Sequence, residues 1–182
     1  AQGVLVKRQG KGTFVEAPKI YRKIENDNNM SFSAACRANG RRPSSHIISC
    51  TVMDAENWQM EFLKLHADRR LYHIERILSA DDLPIIYEHI YIPVSRVPDL
   101  QVERLEGGSF TRMLSEEYNV QESEKGHSTV EVRMIPQSIT EHLKMNTGEP
   151  VMILTSYIND KEENPLYISY EIIAGGRYRI SI

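Results

Sequence analysis

Two runs of alternating apolar residues, Leu71 to Ala80 and Ile85 to Ile92, stand on either side of Asp81-Asp82-Leu83-Pro84 and restrict the fold more than any other feature of this chain. Alternation with a period of two sends successive side chains to opposite faces of a strand, and so short a polar link joins antiparallel neighbours. On the first strand Ile74, Arg76 and Leu78 share one face, while His73, Glu75 and Ile77 share the other. On the second strand Ile86, Glu88 and Ile90 share a face. A turn about Asp82 sets Arg76 opposite Glu88, and directly opposed residues lie on the same face. A charged pair among apolar neighbours is costly to bury unless it is satisfied. It is therefore either a structural ion pair or the polar floor of a ligand pocket.

The rest of the chain predicts an α+β domain around a mainly antiparallel sheet. Ser31 or Ser33 caps a short helix with Phe32, Ala35 and Cys36 on one face and Gly40 as its terminator. Residues 45–53 read as a strand, and Asp54 as the cap of a helix on which Ala55, Trp58, Phe62 and Leu65 recur. Gly107-Gly108-Ser109 opens a helix with Phe110, Met113, Leu114 and Tyr118 on one face. Thr129 to Ile135 is predicted as a strand and Gln137 to Met145 as a helix. Pro150 to Asn159 and Pro165 to Ala174 form a second hairpin, with Tyr178 to Ile182 as a last strand. Near the start, Val4 to Arg8 and Thr13 to Val15 flank the turn Gln9-Gly10-Lys11-Gly12, a hairpin with a basic tip that Pro18 ends. The expected organisation is a hairpin over 1–16, a linker over 17–30 whose polar run is Glu25 to Asn29, and the main domain over 31–182. The opening Ala-Gln-Gly, without an initiator Met and running straight into a strand, suggests a fragment of a longer protein.

Length and charge narrow the function classes. The 182 residues, 41% hydrophobic and 26% charged, suit one soluble domain large enough to enclose a ligand. A net charge of −3 offers no global attraction for nucleic acid or an anionic membrane. No apolar run approaches the roughly 20 residues of a spanning helix, so no membrane partner is expected. Cys36 and Cys50 are too few and too far apart for a zinc ribbon or redox pair, and read as buried thiols in a reducing cytoplasm.

Four groups of residues carry candidate chemistry. Gly10-Lys11-Gly12-Thr13 completes neither a dinucleotide nor a Walker pattern, because strands flank it on both sides. A tip with Arg8 and Lys11 as charges and glycines that allow close approach suits DNA backbone contact, beside the plainer reading of a solvated hairpin. The hydroxyls of Ser31, Ser33, Ser109 and Thr111 sit at helix starts, where they are either caps or parts of anion sites. His46, His66, His73, His89, His127 and His142 show no metal-ligand spacing, and neither a G-x-S-x-G elbow nor a cysteine nucleophile motif is present. No cofactor, metal or catalytic residue is expected, although a Ser/His/Asp constellation assembles only in space.

The run Gly3-Val4-Leu5-Val6-Lys7-Arg8-Gln9-Gly10-Lys11-Gly12-Thr13-Phe14-Val15 resembles the wing that ends the winged helix-turn-helix domain of GntR-family regulators. Residues 31–182 resemble the UTRA domain of the HutC subfamily. The motifs are Ser31-Phe32-Ser33 leading to Asn39-Gly40, Ile74-Glu75-Arg76-Ile77, Asp82-Leu83-Pro84, Glu88-His89-Ile90-Tyr91-Ile92-Pro93, Gly148-Glu149-Pro150-Val151 and Arg177-Tyr178. The resemblance implies a chorismate-lyase-like fold, usually a homodimer, that holds a small-molecule effector in a pocket of the sheet. The effector would be a sugar, phosphosugar, amino sugar, amino acid or relative of these.

The pocket positions carried over are Ser31, Phe32, Ser33, Arg76, Glu88, Ser109, Thr111, Tyr167, Ser169 and Glu171, and ligand contact becomes the favoured role of Arg76 and Glu88. Where phosphate-gripping members often place a second basic residue, two positions after the arginine, this chain has Leu78. Ala174 and Gly176 also leave the usual polar pattern before Arg177-Tyr178. The implied function is a ligand-controlled transcription factor, a repressor, meeting operator DNA through the full-length protein, with Arg8, Gly10, Lys11, Gly12 and Thr13 at the wing. Arg76→Ala is expected to weaken effector binding while leaving the domain folded. The rival readings are a chorismate-lyase-like enzyme and a pure dimerisation module.

Overall fold

The computed structural model describes residues 4–8, 12–16, 19–25, 28–29 and 31–181. Strands β1 (Val4–Arg8) and β2 (Gly12–Glu16) pair antiparallel as a hairpin. Strand β3 (Ile20–Glu25) and the two-residue β4 (Asn28–Asn29) follow, then helix α1 (Phe32–Ala38). Next come β5 (Pro43–Asp54), α2 (Asn57–Leu63), β6 (Arg70–Ala80) and β7 (Leu83–Pro93). Two 3-10 turns, Val94–Arg96 and Val102–Leu105, lead to α3 (Phe110–Tyr118) and β8 (Glu122–Met134). A 3-10 turn at Gln137–Ile139 continues into α4 (Thr140–Leu143), and β9 (Pro150–Asp160), β10 (Pro165–Ala174) and β11 (Tyr178–Ser181) complete the chain.

Six strands form one antiparallel sheet in the order β5-β6-β7-β10-β9-β8, the α+β architecture the sequence implies. Ala80 opposes Leu83 across β6 and β7, leaving Asp81 and Asp82 as a two-residue turn. Both adopt positive φ, 48° and 65°, as such hairpin turns require. Asp81 is held from outside by the Arg42 backbone N–H at 2.8 Å and by the Arg41 side chain. A register shift between Leu78 and Ser79 then sets Arg76 opposite Glu88, as alternation predicts.

One sheet face carries two apolar clusters. Phe32, Ala35 and Cys36 of α1 pack with Leu78, Ile86, Leu154, Ile173 and Tyr178 in one. Phe110, Met113 and Leu114 of α3 pack with Ile74, Ile90, Ile158 and Tyr167 in the other. The opposite face packs against Ile139 and Leu143 at one end and Leu63 at the other.

Several elements differ from expectation. Asp54 does not cap α2: it ends β5, paired with Arg70, and the backbone N–H of Glu56 is instead satisfied by Gln59 Oε1 at 2.8 Å. Trp58 stays 41% exposed, edge-on to Tyr91, while Gln59 and Leu63 form the buried side of that helix. Strand β8 starts at Glu122 rather than Thr129, because pairing with β9 resumes beyond an irregularity, with Glu122 opposite Asp160. The helix expected over 137–145 divides into the 3-10 turn and α4, which Lys144 ends at φ 49°. Cys36 is buried as expected, whereas Cys50 is only half-buried; both are free thiols.

Residues 20–25, read as part of a linker, form β3 and run parallel to β11, with Ile20 opposite Tyr178. Their apolar alternation is too short to stand out in sequence. A partner strand more than 150 positions away supplies the pairing. Ile20 is fully buried within the α1 cluster.

Candidate ligand-binding site

Between the two apolar clusters of the α1/α3 face runs a polar belt. Register places Arg76, Glu88 and Glu171 side by side on β6, β7 and β10. Like charges directly opposed are destabilising, so Glu88 and Glu171 each need a cation of their own. Arg76 Nε donates to Glu88 Oε2 at 2.5 Å, and Arg22 Nη1 donates to both oxygens of Glu171 at 3.0 Å. The other Glu88 oxygen accepts from Ser169 Oγ at 3.0 Å.

Burial works against charge on Arg22, but the adjacent Glu171 carboxylate outweighs it and holds the guanidinium above its ordinary pKa. Burial pushes the Glu171 carboxyl up, with Arg22 as the main restraint. One atom in this belt, Arg76 Nη1, is buried and makes no hydrogen bond among the described residues. Its guanidinium carbon lies 5.7 Å from the centre of the Phe110 ring.

The two helices supply the roof. Ser31 caps α1, accepting from the Ala34 N–H at 3.3 Å, and Ser33 lies within the helix. Phe32 stacks on Tyr178 with ring centres 6.3 Å apart. Ser109 caps α3 through the Arg112 N–H at 3.5 Å. Thr111 donates to Glu122 Oε1 at 2.9 Å, and the Tyr167 hydroxyl donates to the same oxygen at 2.6 Å. Burial, then the Glu122 carboxylate, drives the Tyr167 pKa far above its usual range, so it stays a neutral donor. The Gly107-Gly108 corner needs its glycines: Gly107 has φ +69°, and a Cβ on Gly108 would stand 2.9 Å from the Arg104 carbonyl oxygen. Ser45 pins that corner, donating to the carbonyls of Leu105 at 2.7 Å and Gly108 at 2.9 Å.

All ten expected pocket residues, Ser31, Phe32, Ser33, Arg76, Glu88, Ser109, Thr111, Tyr167, Ser169 and Glu171, line a single cavity of about 50 Å³. Arg22, Glu122 and Ser156 also line it and were not anticipated. Ser156 sits opposite Ser169 on β9, and its hydroxyl accepts from Ser128 at 2.9 Å. Alternation along Leu154, Ser156 and Ile158 was the one signal that pointed to it. The cavity shares Ser31, Ser33, Leu78, Gly108, Ser109 and Thr111 with an adjoining groove of about 850 Å³ between α1 and α3. At ~10–15 Å³ per water by this measure, the inner space has room for a few waters, and the groove for a much larger body.

Of the hairpin residues, Arg8 pairs with Gly12 and Lys7 with Thr13, while Gly10 and Lys11 lie outside the described residues. No helix among the described residues is long and apolar enough to cross a membrane.

Comparison with known proteins agrees with this fold. The UTRA domain family matches residues 38–179. The HTH-type transcriptional regulator YurK of Bacillus subtilis is 25% identical over 183 residues, an overlap covering 100% of this chain and 74% of the relative. A probable fructoselysine utilization operon transcriptional repressor of Escherichia coli K12 is 25% identical over 183 residues, covering 100% of this chain and 73% of the relative. The crystal structure of PhnF from Mycobacterium smegmatis shares the fold, with a TM-score of 0.83 at 17% identity over 98% of this chain and 77% of that one. The two sequence relatives are named as transcriptional regulators. With the family match extending over more than half its length, the chain belongs to the UTRA domain family of GntR-type transcription regulators.

Proposed function

We propose that this chain is the effector-sensing and dimerisation part of a transcription repressor, and that the polar belt receives a hydroxyl-rich or amine-bearing metabolite. The observation that carries the proposal is Arg76 Nη1, a donor buried on the wall of the cavity without a partner among the described residues. A buried guanidinium donor left unmet costs free energy, and an acceptor on a ligand removes that cost. Glu88, Glu122 and Glu171 set three carboxylates against the two cations Arg22 and Arg76 among the lining residues. That balance favours a neutral polyol or an amine over a phosphosugar. The Escherichia coli relative named for fructoselysine utilization suggests a sugar bearing an amine as the first compound to try.

Coupling to DNA would pass through β3. This strand leads from the hairpin segment and sends Arg22 to Glu171 in the cavity wall. An effector amine that competes for Glu171 loosens Arg22, and with it the register of β3 on β11. Arg8, Gly10, Lys11, Gly12 and Thr13 would contact the operator backbone in the full-length dimer.

The test is a thermal-shift and calorimetric screen of sugars, amino sugars, phosphosugars, amino acids and fructoselysine against the chain and its Arg76→Lys variant. Lysine keeps the charge beside Glu88 but removes the guanidinium donor. Binding of an amine or polyol ligand that weakens about tenfold in Arg76→Lys, ~1.4 kcal/mol, is the expected result. Unchanged affinity in the variant overturns the assignment of Arg76, and a consistent preference for phosphosugars overturns the charge argument.

A further inference from the structure

The sheet face turned away from the cavity carries a second polar group, independent of the reading above. His73 and Glu75 project from it two residues apart on β6, and register sets Glu75 opposite His89 on β7. One donor atom from each of the three lies within 4.8 Å of the others. His73 Nε2 is 3.0 Å from His89 Nδ1, and His89 Nδ1 is 3.5 Å from Glu75 Oε1.

We propose that His73, Glu75 and His89 form a binding site for one divalent first-row transition ion such as Zn²⁺, Co²⁺ or Ni²⁺. Two imidazoles and a carboxylate are a donor set these ions favour over Mg²⁺ or Ca²⁺, which seek oxygen cages. An ion held at ~2.0–2.2 Å from each ligand needs cis donor atoms roughly 3–3.5 Å apart, and both observed separations fall in that interval.

The carboxylate is already oriented. Ser49 Oγ donates to Glu75 Oε2 at 2.6 Å and the Tyr87 hydroxyl to Oε1 at 3.0 Å, contacts of the kind that hold metal ligands in place. Tyr91 stacks on His73 at 4.7 Å and Tyr170 meets His89 edge-on at 5.7 Å, so the rings have aromatic walls. The imidazole planes lie within 9° of parallel, with the facing nitrogens at hydrogen-bond distance. An ion takes the place of that contact, standing off the line between the nitrogens on the Glu75 side after a modest rotation of the rings. Residues 73 and 75 leave no motif in the sequence because the third ligand comes from strand pairing. The ion would bind behind Arg76 and Glu88, which occupy the neighbouring positions on these strands and face the opposite way.

The experiment titrates the chelator-stripped chain with Co²⁺, read by visible absorption, and with Zn²⁺, read by calorimetry. One ion per chain is expected, with affinity reduced at least tenfold in Glu75→Gln and His89→Gln and unchanged in His66→Ala, a change at an exposed histidine. Circular dichroism melts confirm that each variant is folded. Should a variant fail to fold, selective broadening of the His73 and His89 ring resonances by Co²⁺ in the unaltered chain supports the site, and its absence overturns it. No binding, or binding indifferent to Glu75→Gln and His89→Gln, also overturns it.

Discussion

The two faces of β6 and β7 solve the same problem differently. Behind α1 and α3, Arg76 and Glu88 are each only 7% exposed at the side chain, and charge is met by charge. On the opposite face Glu75 and His89 keep 24% and 17% exposure, and the carboxylate there is met by a serine and a tyrosine. Depth decides the difference. A fully desolvated charge needs a fixed counter-charge, whereas a half-solvated one is satisfied by neutral donors and residual water. The deep face consequently depends on fixed, well-aligned partners. The shallow face stays adaptable, with groups free to exchange a proton or an ion.

The sharpest way to break this contrast is Arg76→Ala. It leaves Glu88 buried with Ser169 as its remaining described partner, a loss of the kind that costs ~3–5 kcal/mol. That is a large share of the ~5–15 kcal/mol by which whole domains are stable. Urea denaturation measures it, and the same measurement tests the expectation from sequence that this variant stays folded. The double change Arg76→Met with Glu88→Leu should recover most of the loss, because removing both charges removes the desolvation cost. A loss below ~1 kcal/mol for Arg76→Ala would mean that the deep pair is solvated like a surface one.

That pair was legible in the sequence because period-two alternation and a tight turn together determine both face and register. The hydroxyls of Ser31 and Ser109 were legible as caps for a similar local reason. Arg22 and Glu122 were not. Arg22 lies on a strand whose pairing partner, β11, is at the other end of the chain, and Glu122 precedes the part of β8 that alternates clearly. Their roles come from tertiary approach, which local pattern does not encode. The His73, Glu75 and His89 group belongs with them. Its members were visible as outward-facing residues, but their convergence depends on the register of two strands.

A middle-sized effect is expected for Ser31→Ala, which removes the cap of α1 and costs ~0.5–2 kcal/mol. Because Ser31 also lines the cavity, effector affinity should fall in the same variant. The shallow face should yield less. Tyr87→Phe removes one hydrogen bond from a neutral donor to the half-solvated Glu75 carboxylate, which keeps Ser49, so at most ~1.5 kcal/mol, the low end for a charged acceptor, is expected from denaturation curves. A cost above that of Arg76→Ala would reverse the ranking of the two faces.

The smallest effect has a definite sign. Burial lowers the pKa of His73 and of His89, with Glu75 acting the other way. In the unfolded chain both imidazoles titrate near ~6.5, so below that pH the unfolded state takes up protons that the fold refuses. Their stabilising contribution is complete above the unfolded value and is lost as pH falls from it through the folded values. Glu75 does not confuse this window. Burial pushes its carboxyl up, but the Ser49 and Tyr87 hydrogen bonds more than compensate and leave it below the ordinary glutamate range. Its own contribution lapses only in stronger acid. The deep belt has no imidazole among its lining residues. Its Glu171, whose carboxyl burial pushes up, acts in the opposite sense because protonation there favours the fold. A decline in urea midpoint between pH 7.5 and 5.5 therefore reports on the shallow face. With both rings partly solvent-exposed, under ~1 kcal/mol is expected. His89→Gln should flatten the profile, and an equally steep decline in that variant would place the titrating group elsewhere in the molecule.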